Sequence, residues 1–165
     1  MFELLILLII VLCFSLVCFI GSPYVPTMEE WAKDALDLAD LDENDKVVDL
    51  GSGDGKILRL LSKKGIRSVG YEVNPLLVAF SKLSLLNTKL ATVNMKNYWS
   101  TNLPSDTTVI YAFMVERDAK KLEDYVNKQL KLVKSDKIKL ITFGFGLPNK
   151  KINKQTNSAK LYIFE

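Results

Sequence analysis

The chain has 165 residues, 48% of them hydrophobic and 25% charged, with a formal net charge of +3. That length holds one domain around a single core, and this balance of apolar and charged residues excludes a disordered chain. The absence of histidine removes the commonest general base from any mechanism. Charge is unevenly divided: residues 1–75 carry 7 basic and 12 acidic side chains, residues 76–165 carry 15 and 7. Aromatic residues are sparse among the lysines of the second half, so nucleic acid is not an expected partner. Those lysines read first as a solvated face and second as a contact for anionic headgroups.

The N-terminus is apolar. Leu4 to Ile20 is a run of 17 residues with no charged side chain. At about 1.5 Å per residue it reaches roughly 25 Å, and Met1, Phe2 and Gly21 extend it toward a ~30 Å hydrocarbon core. A cleaved signal peptide needs a basic start and small residues before the cut. Here Glu3 precedes the run, and Cys18-Phe19-Ile20 end it. The pattern predicts a retained single-pass transmembrane anchor over residues 1–21, touching the bilayer through residues 4–20. No Lys or Arg precedes it and Lys33 follows, which places the remaining chain in the cytoplasm. Cys13 and Cys18 lie inside the run, so no disulfide framework is expected.

Residues 22–45 read as a connector and a helix. Pro23 and Pro26 keep the connector extended. Thr27 and Glu30 have capping-box spacing, with Trp31, Ala35 and Leu38 on one helical face. The domain proper is expected over 46–165. Lys46–Leu50 is an apolar, β-branched strand, followed by Gly51-Ser52-Gly53-Asp54-Gly55 and a helix over 56–64 with Gly65 at its C-terminal turn. A second strand over 68–71 ends at Glu72. Asn74-Pro75 pairs an N-cap with a proline at the first helical position, opening a helix over 76–86.

Strands follow over 91–95 and 107–113. Residues 116–132 form an amphipathic helix with Ala119, Leu122, Val126, Leu130 and Val133 as its apolar stripe. A fifth strand over 137–143, a polar loop and a last strand over 160–164 complete the chain. Alternating strands and helices predict an α/β, Rossmann-like, doubly wound and mostly parallel sheet of about six strands. The last strand follows no helix and is expected to be antiparallel.

The chemistry centres on the glycine loop. Glycines let the turn visit positive φ and let the backbone close on a ligand, while the following helix offers free N–H groups. The dinucleotide fingerprint is G-x-G-x-x-G. Here Lys56 stands where its third glycine would be, so an NAD-dependent oxidoreductase is disfavoured. Asp49, two residues before Gly51, completes a pattern that resembles the first motif of class I S-adenosylmethionine-dependent methyltransferases. Glu72 ends the next strand, where a carboxylate can accept from ribose hydroxyls.

Three stretches in register narrow the resemblance: Pro23-Tyr24-Val25-Pro26-Thr27, Asp49–Gly55, and Gly70–Val78. Together with Leu147-Pro148 they resemble the membrane-associated protein-lysine methyltransferases of the adenine nucleotide translocase and the ATP synthase c-subunit, and their prokaryotic relatives. The resemblance implies S-adenosyl-L-methionine as cofactor. Asp49, Gly51, Ser52, Gly53 and Gly55 would lie at its methionine portion and Glu72 at its ribose. Asn97, where the family has an acid, would reach the adenine. Tyr24 and Thr27 would form part of a lid. Asn74 reads as a cap.

The implied substrate is a protein lysine, possibly of a membrane protein. Phe143-Gly144-Phe145-Gly146-Leu147-Pro148 lacks the basic residue that relatives usually carry after the fifth strand. Tyr111-Ala112-Phe113-Met114 is not the N-P-P-Y of adenine and glutamine amino-methyltransferases. No catalytic residue is nominated and no metal is implied. The second reading is a membrane-anchored, non-catalytic scaffold with a degenerate pocket.

Overall fold

The computed structural model describes residues 2–8, 11 and 28–165. Most of the predicted anchor, and Tyr24 and Thr27, lie outside the described residues. Residues 2–8 are helical and exposed. Among the described residues no helix is long and apolar enough to cross a membrane.

The elements run α1 (Glu29–Asp37), β1 (Lys46–Leu50), α2 (Lys56–Lys63), β2 (Arg67–Glu72), α3 (Pro75–Ser84), β3 (Ala91–Met95), β4 (Val109–Phe113), α4 (Ala119–Leu130), β5 (Ile138–Phe143), β6 (Lys154–Gln155) and β7 (Ala159–Phe164). They build one sheet in the order β3-β2-β1-β4-β5-β7-β6. The first five strands are parallel, and β7 runs antiparallel between β5 and β6. The sheet has seven strands where the sequence pattern predicts about six. The extra one is the two-residue β6, whose exposed Lys154 and Gln155 pair with Leu161 and Lys160. A polar pair carries no alternation to announce a strand.

Strands β1, β4 and β5 are buried on both faces, as their continuous apolar runs require. Val48, Ile110, Ile138 and Leu140 face α4 through Leu122 and Val126. Val47, Val109, Tyr111 and Ile141 face α1 and α2 through Ala35, Leu36, Ile57 and Leu61. On that same face, Leu58 of α2 packs with Val78 and Leu85 near α3 and with Ala91 and Val93 of β3.

Two local readings change. Helix α1 opens at Glu29 with Met28 in the capping position and no side-chain cap; Thr27 of the expected capping box lies outside the described residues. The helix's buried face is Ala32, Ala35 and Leu36, with Ala39 buried just beyond its end, and Trp31 stays 47% exposed. The expected helix over 116–132 begins as a 3₁₀ turn, Glu116–Asp118, and becomes α-helical only at Ala119.

Two connections are irregular but fixed by buried polar side chains. Between β3 and β4 the chain makes one 3₁₀ turn, Tyr98–Ser100. Buried Gln129 of α4 accepts from the Leu103 amide at 2.9 Å, and Tyr125 donates to the Thr101 carbonyl at 2.9 Å. After β5, Phe145 and Leu147 turn back into the core. Thr142 Oγ1 donates to the Phe145 carbonyl at 2.9 Å, and the Tyr162 hydroxyl accepts from the Leu147 amide at 3.0 Å. The Phe-Gly-Phe-Gly segment is therefore a packed corner. Replacing Tyr162 by Phe leaves that buried amide without its acceptor. Urea denaturation of Tyr162→Phe is expected to show a loss of about 1–3 kcal/mol.

Candidate functional site

The sheet order reverses between β1 and β4, and ligands of open α/β sheets bind at such a switch point, outside the carboxyl ends of the strands. The sequence puts its glycine loop and Glu72 at that end. Leu50 and Tyr71 are register partners on neighbouring strands. The Tyr71 carbonyl accepts from the amides of Gly51 (2.9 Å) and Ser52 (3.0 Å), so the loop leaves β1 still bonded to β2. Gly51, Gly53 and Gly55 all have positive φ, at 88°, 54° and 79°. A Cβ at Gly51 would meet nothing within 4 Å. The loop's outer side is open.

Glu72 ties the loop down. Its Oε2 accepts from the Gly53 amide at 2.9 Å. Its Oε1 accepts from the amides of Val73 (2.7 Å) and Asn74 (2.8 Å). The carboxylate is buried, at 7% exposure, and the two motifs read separately in the sequence meet in one hydrogen bond. Asn74 is a cap: its Oδ1 accepts from Leu76 at 2.9 Å and from Leu77 at 3.4 Å, at the start of α3.

Asp49 sits beneath the loop on β1, at 2% exposure. Burial, and then the charges of Glu72 and Asp54, push its carboxyl up from 3.8 to about 8. Asp54 is held differently. Arg59 Nη2 pairs with its carboxylate at 3.0 Å, and Arg59 Nη1 donates to its carbonyl at 2.6 Å. That guanidinium fixes the outer lip of the loop, a role the sequence spacing did not reveal.

The remaining candidates divide. The Ser52 hydroxyl is buried without a hydrogen-bond partner and lies against Gly70 of β2, so Ser52 serves the loop through its main chain. Asn97 is exposed and caps the 3₁₀ turn, its Oδ1 accepting from the Trp99 amide at 3.0 Å. Its neighbour Tyr98 is partly buried against the core that holds Tyr71 and Tyr125, and burial, then the charges of Asp118 and Glu72, push its hydroxyl up to about 12. The tilted Tyr98–Trp99 pair, with ring centroids 4.7 Å apart, and Lys121 Nζ, 4.2 Å from the Trp99 centroid, complete this side.

Two close approaches make the loop fit. A Cβ at Gly55 would fall 2.2 Å from Ser81 Oγ of α3. A Cβ at Gly70 would fall 2.4 Å from Ser52 Oγ and 2.7 Å from Leu58 Cδ1. Gly70 thus leaves room on β2 for Ser52 of the loop and Leu58 of α2. The available signal was a glycine inside a strand, which marks close backbone approach.

Two buried carboxylates below an open glycine turn suit a ligand that is cationic at one end and offers hydroxyl donors at the other. The fold and this turn together define an S-adenosylmethionine-binding methyltransferase domain, and its residues fit that cofactor. The family model described as the ANTKMT methyltransferase domain matches residues 49–154, which include Asp49, the glycine loop and Glu72. The chain belongs to that family.

Among similar proteins is the lysine N-methyltransferase of the ATP synthase c-subunit from Caenorhabditis elegans. It is 36% identical over 99 residues, which cover 54% of this chain and 52% of that one. A protein-lysine N-methyltransferase of Saccharolobus islandicus (strain REY15A) is 29% identical over 114 residues, 66% of this chain and 70% of that one. The match thus spans about half the length of the nematode relative, and 26% and 16% of its Xenopus laevis and Homo sapiens namesakes. Among solved structures, an RNA methyltransferase from Salinibacter ruber in complex with S-adenosyl-L-homocysteine superposes with a TM-score of 0.73 at 25% identity. The superposition covers 85% of this chain and 92% of that one.

Two outcomes follow from the packing and the charge. Gly70→Ala drives a Cβ into Ser52 and Leu58 and is expected to cost about 1–3 kcal/mol in thermal or urea unfolding. The raised Asp49 carboxyl makes the folded chain hold a proton that the unfolded chain has released. Its contribution to stability is therefore full below about pH 4 and is lost as pH rises toward about 8. Denaturant titrations at pH 5.5 and pH 8.5 are expected to show a smaller loss across that interval for Asp49→Asn than for the parent chain.

Proposed function

We propose that the chain is an S-adenosylmethionine-dependent methyltransferase that N-methylates a lysine side chain of a protein at a membrane surface. The observation that carries the reading is the 2.9 Å bond from the Gly53 amide to Glu72 beneath the open Gly51 turn. It assembles a nucleoside grip from two adjacent strands. The nematode, frog, human and archaeal relatives, all named lysine N-methyltransferases, support the substrate class. The apolar run over residues 4–20 supports a membrane anchor with the domain on the cytoplasmic side.

In this reading Glu72 holds the ribose, while Asp49 faces the methionine portion below Gly51, Gly53 and Gly55. Asn97 or its neighbour Tyr98 borders the adenine, and Tyr24 and Thr27 contribute a lid. When bound, the cofactor supplies a methyl group on a sulfonium. The protein's part is to present a neutral amine in line with it. A lysine amine has a pKa near 10.4 and must lose its proton first.

Apolar surroundings favour that neutral form without a dedicated base. Such surroundings exist at the carboxyl ends of β4 and β5. The Phe113 and Phe143 rings meet edge to face at 5.1 Å, and Trp31 stacks on Phe143 at 6.3 Å. Apolar surroundings of this kind would stand in for the histidine the chain lacks.

Radiolabelled methyl transfer from S-adenosylmethionine to membrane proteins by the full chain tests the reading, with acid hydrolysis to identify methyl-lysine. Glu72→Gln is expected to lower transfer at least tenfold and to weaken S-adenosylhomocysteine binding in calorimetry. Tight binding with no transfer to any protein lysine would favour the scaffold reading instead.

A further inference from the structure

Helix α3 carries large apolar side chains on two opposite sides. Leu77, Val78 and Ser81, with Leu85 just beyond the last turn, point into the fold. On the opposite side Phe80 is 61% exposed, Leu83 64% and Leu86 74%, and Leu90 follows at 37%. Phe80 and Leu83 are three apart on the helix, and Leu86 and Leu90 follow in the turn and loop that leave it, so four large apolar side chains lie exposed along one short stretch of chain. An exposed group of large apolar side chains opposite a helix's buried face ordinarily marks a surface that something covers. Here one side has nothing over it among the described residues.

Charge indicates what covers it. Between residues 73 and 105 there is no Asp or Glu, and the charged residues are Lys82, Lys89 and Lys96. All three are exposed, and none forms an ion pair among the described residues. Lys82 lies on α3 itself. Lys89 and Lys96 bracket β3, the strand at the edge of the sheet. Lysines at both ends of an edge strand also oppose pairing with a second copy. Exposed aliphatic and aromatic side chains with lysines nearby in the chain and no acids among them are the chemistry of an interfacial segment on an anionic bilayer.

We propose that the outer face of α3 is a membrane-docking surface. Phe80, Leu83 and Leu86 enter the headgroup–acyl boundary of an anionic leaflet, and Lys82, Lys89 and Lys96 rest on its phosphates. This contact is separate from the apolar N-terminal run and fixes how the domain lies on the membrane rather than whether the chain is attached.

The test uses the full chain with Phe80→Trp and vesicles carrying brominated acyl chains, either pure phosphatidylcholine or a phosphatidylcholine–phosphatidylserine mixture. Tryptophan quenching in excess of the parent chain, which reports Trp31 and Trp99, is expected in the phosphatidylserine vesicles and should weaken with added salt. Adding Leu83→Ser and Leu86→Ser should return quenching to the parent level with the circular dichroism spectrum unchanged. Vesicle-bound protein without excess quenching would overturn the proposal, because attachment would then run through another part of the chain. A concentration-dependent dimer in sedimentation that the same serine substitutions abolish would also overturn it, in favour of a second copy as the occupant.

Discussion

One buried carboxylate holds the site together. Glu72 collects three main-chain N–H groups, one from the loop after β1 and two from the segment that leads into α3. Each of those amides would otherwise lack a partner where unsatisfied groups are costly. The parallel pairing of β1 and β2 brings the strand ends level, but pairing alone does not orient the loop. The Glu72–Gly53 bond does, and the positive φ of Gly51 and Gly55 then follows from where the chain must go. Helix α2 starts from that fixed loop, and α3 starts from Asn74, whose amide the same carboxylate holds.

Much of this was legible in the chain. The strand, glycine loop, helix, strand and acid stand in order from Lys46 to Glu72, and Asn74-Pro75 marks the start of α3 by local chemistry alone. Motifs of this kind act over a few residues, so spacing carries them. What spacing could not carry was contact between segments. A glycine inside a strand announces a close approach at Gly70, but not that Ser52 and Leu58 are the groups that make it. Arg59 reads as a helix-surface cation until it is found bonded to both the carbonyl and the carboxylate of Asp54.

The same holds for Phe145, whose sequence context reads as a substrate-side loop. Burial of its ring and the bond from Thr142 Oγ1 to its carbonyl make it part of the core. Short polar segments such as β6 were illegible for the opposite reason. Two exposed residues pair because β7 offers an edge, and nothing in their own side chains requires it.

The electrostatics of the site point in one direction. Asp49 and Glu72 are both buried, and Asp54 stands at the rim. The Glu72 and Asp54 charges add to burial in favouring a neutral Asp49. A cation arriving above the loop reverses that balance, because an opposite charge close by favours the ionised form. The pocket is thus poorly matched to an anion and well matched to a ligand carrying ammonium and sulfonium charge. A pyrophosphate-bearing dinucleotide would meet like charge here as well as the wrong glycine spacing.

The hydrogen bonds around Glu72 also limit how it can grip a sugar. An ionised carboxylate offers about four acceptor positions. Oε1 already takes two amides, from Val73 and Asn74, and Oε2 takes one, from Gly53. One position remains, on Oε2, the oxygen that the Gly53 amide already holds. A ribose can give it one hydroxyl while the loop stays as it is. Engaging both hydroxyls requires an amide to let go, and the two amides on Oε1 anchor the start of α3. The Gly53 amide is the one whose release disturbs least, since its loop already has an open outer side at Gly51. Were Glu72 to take both hydroxyls of a ribose, as the proposed function has it, the 2.9 Å bond from Gly53 would be the one to give way.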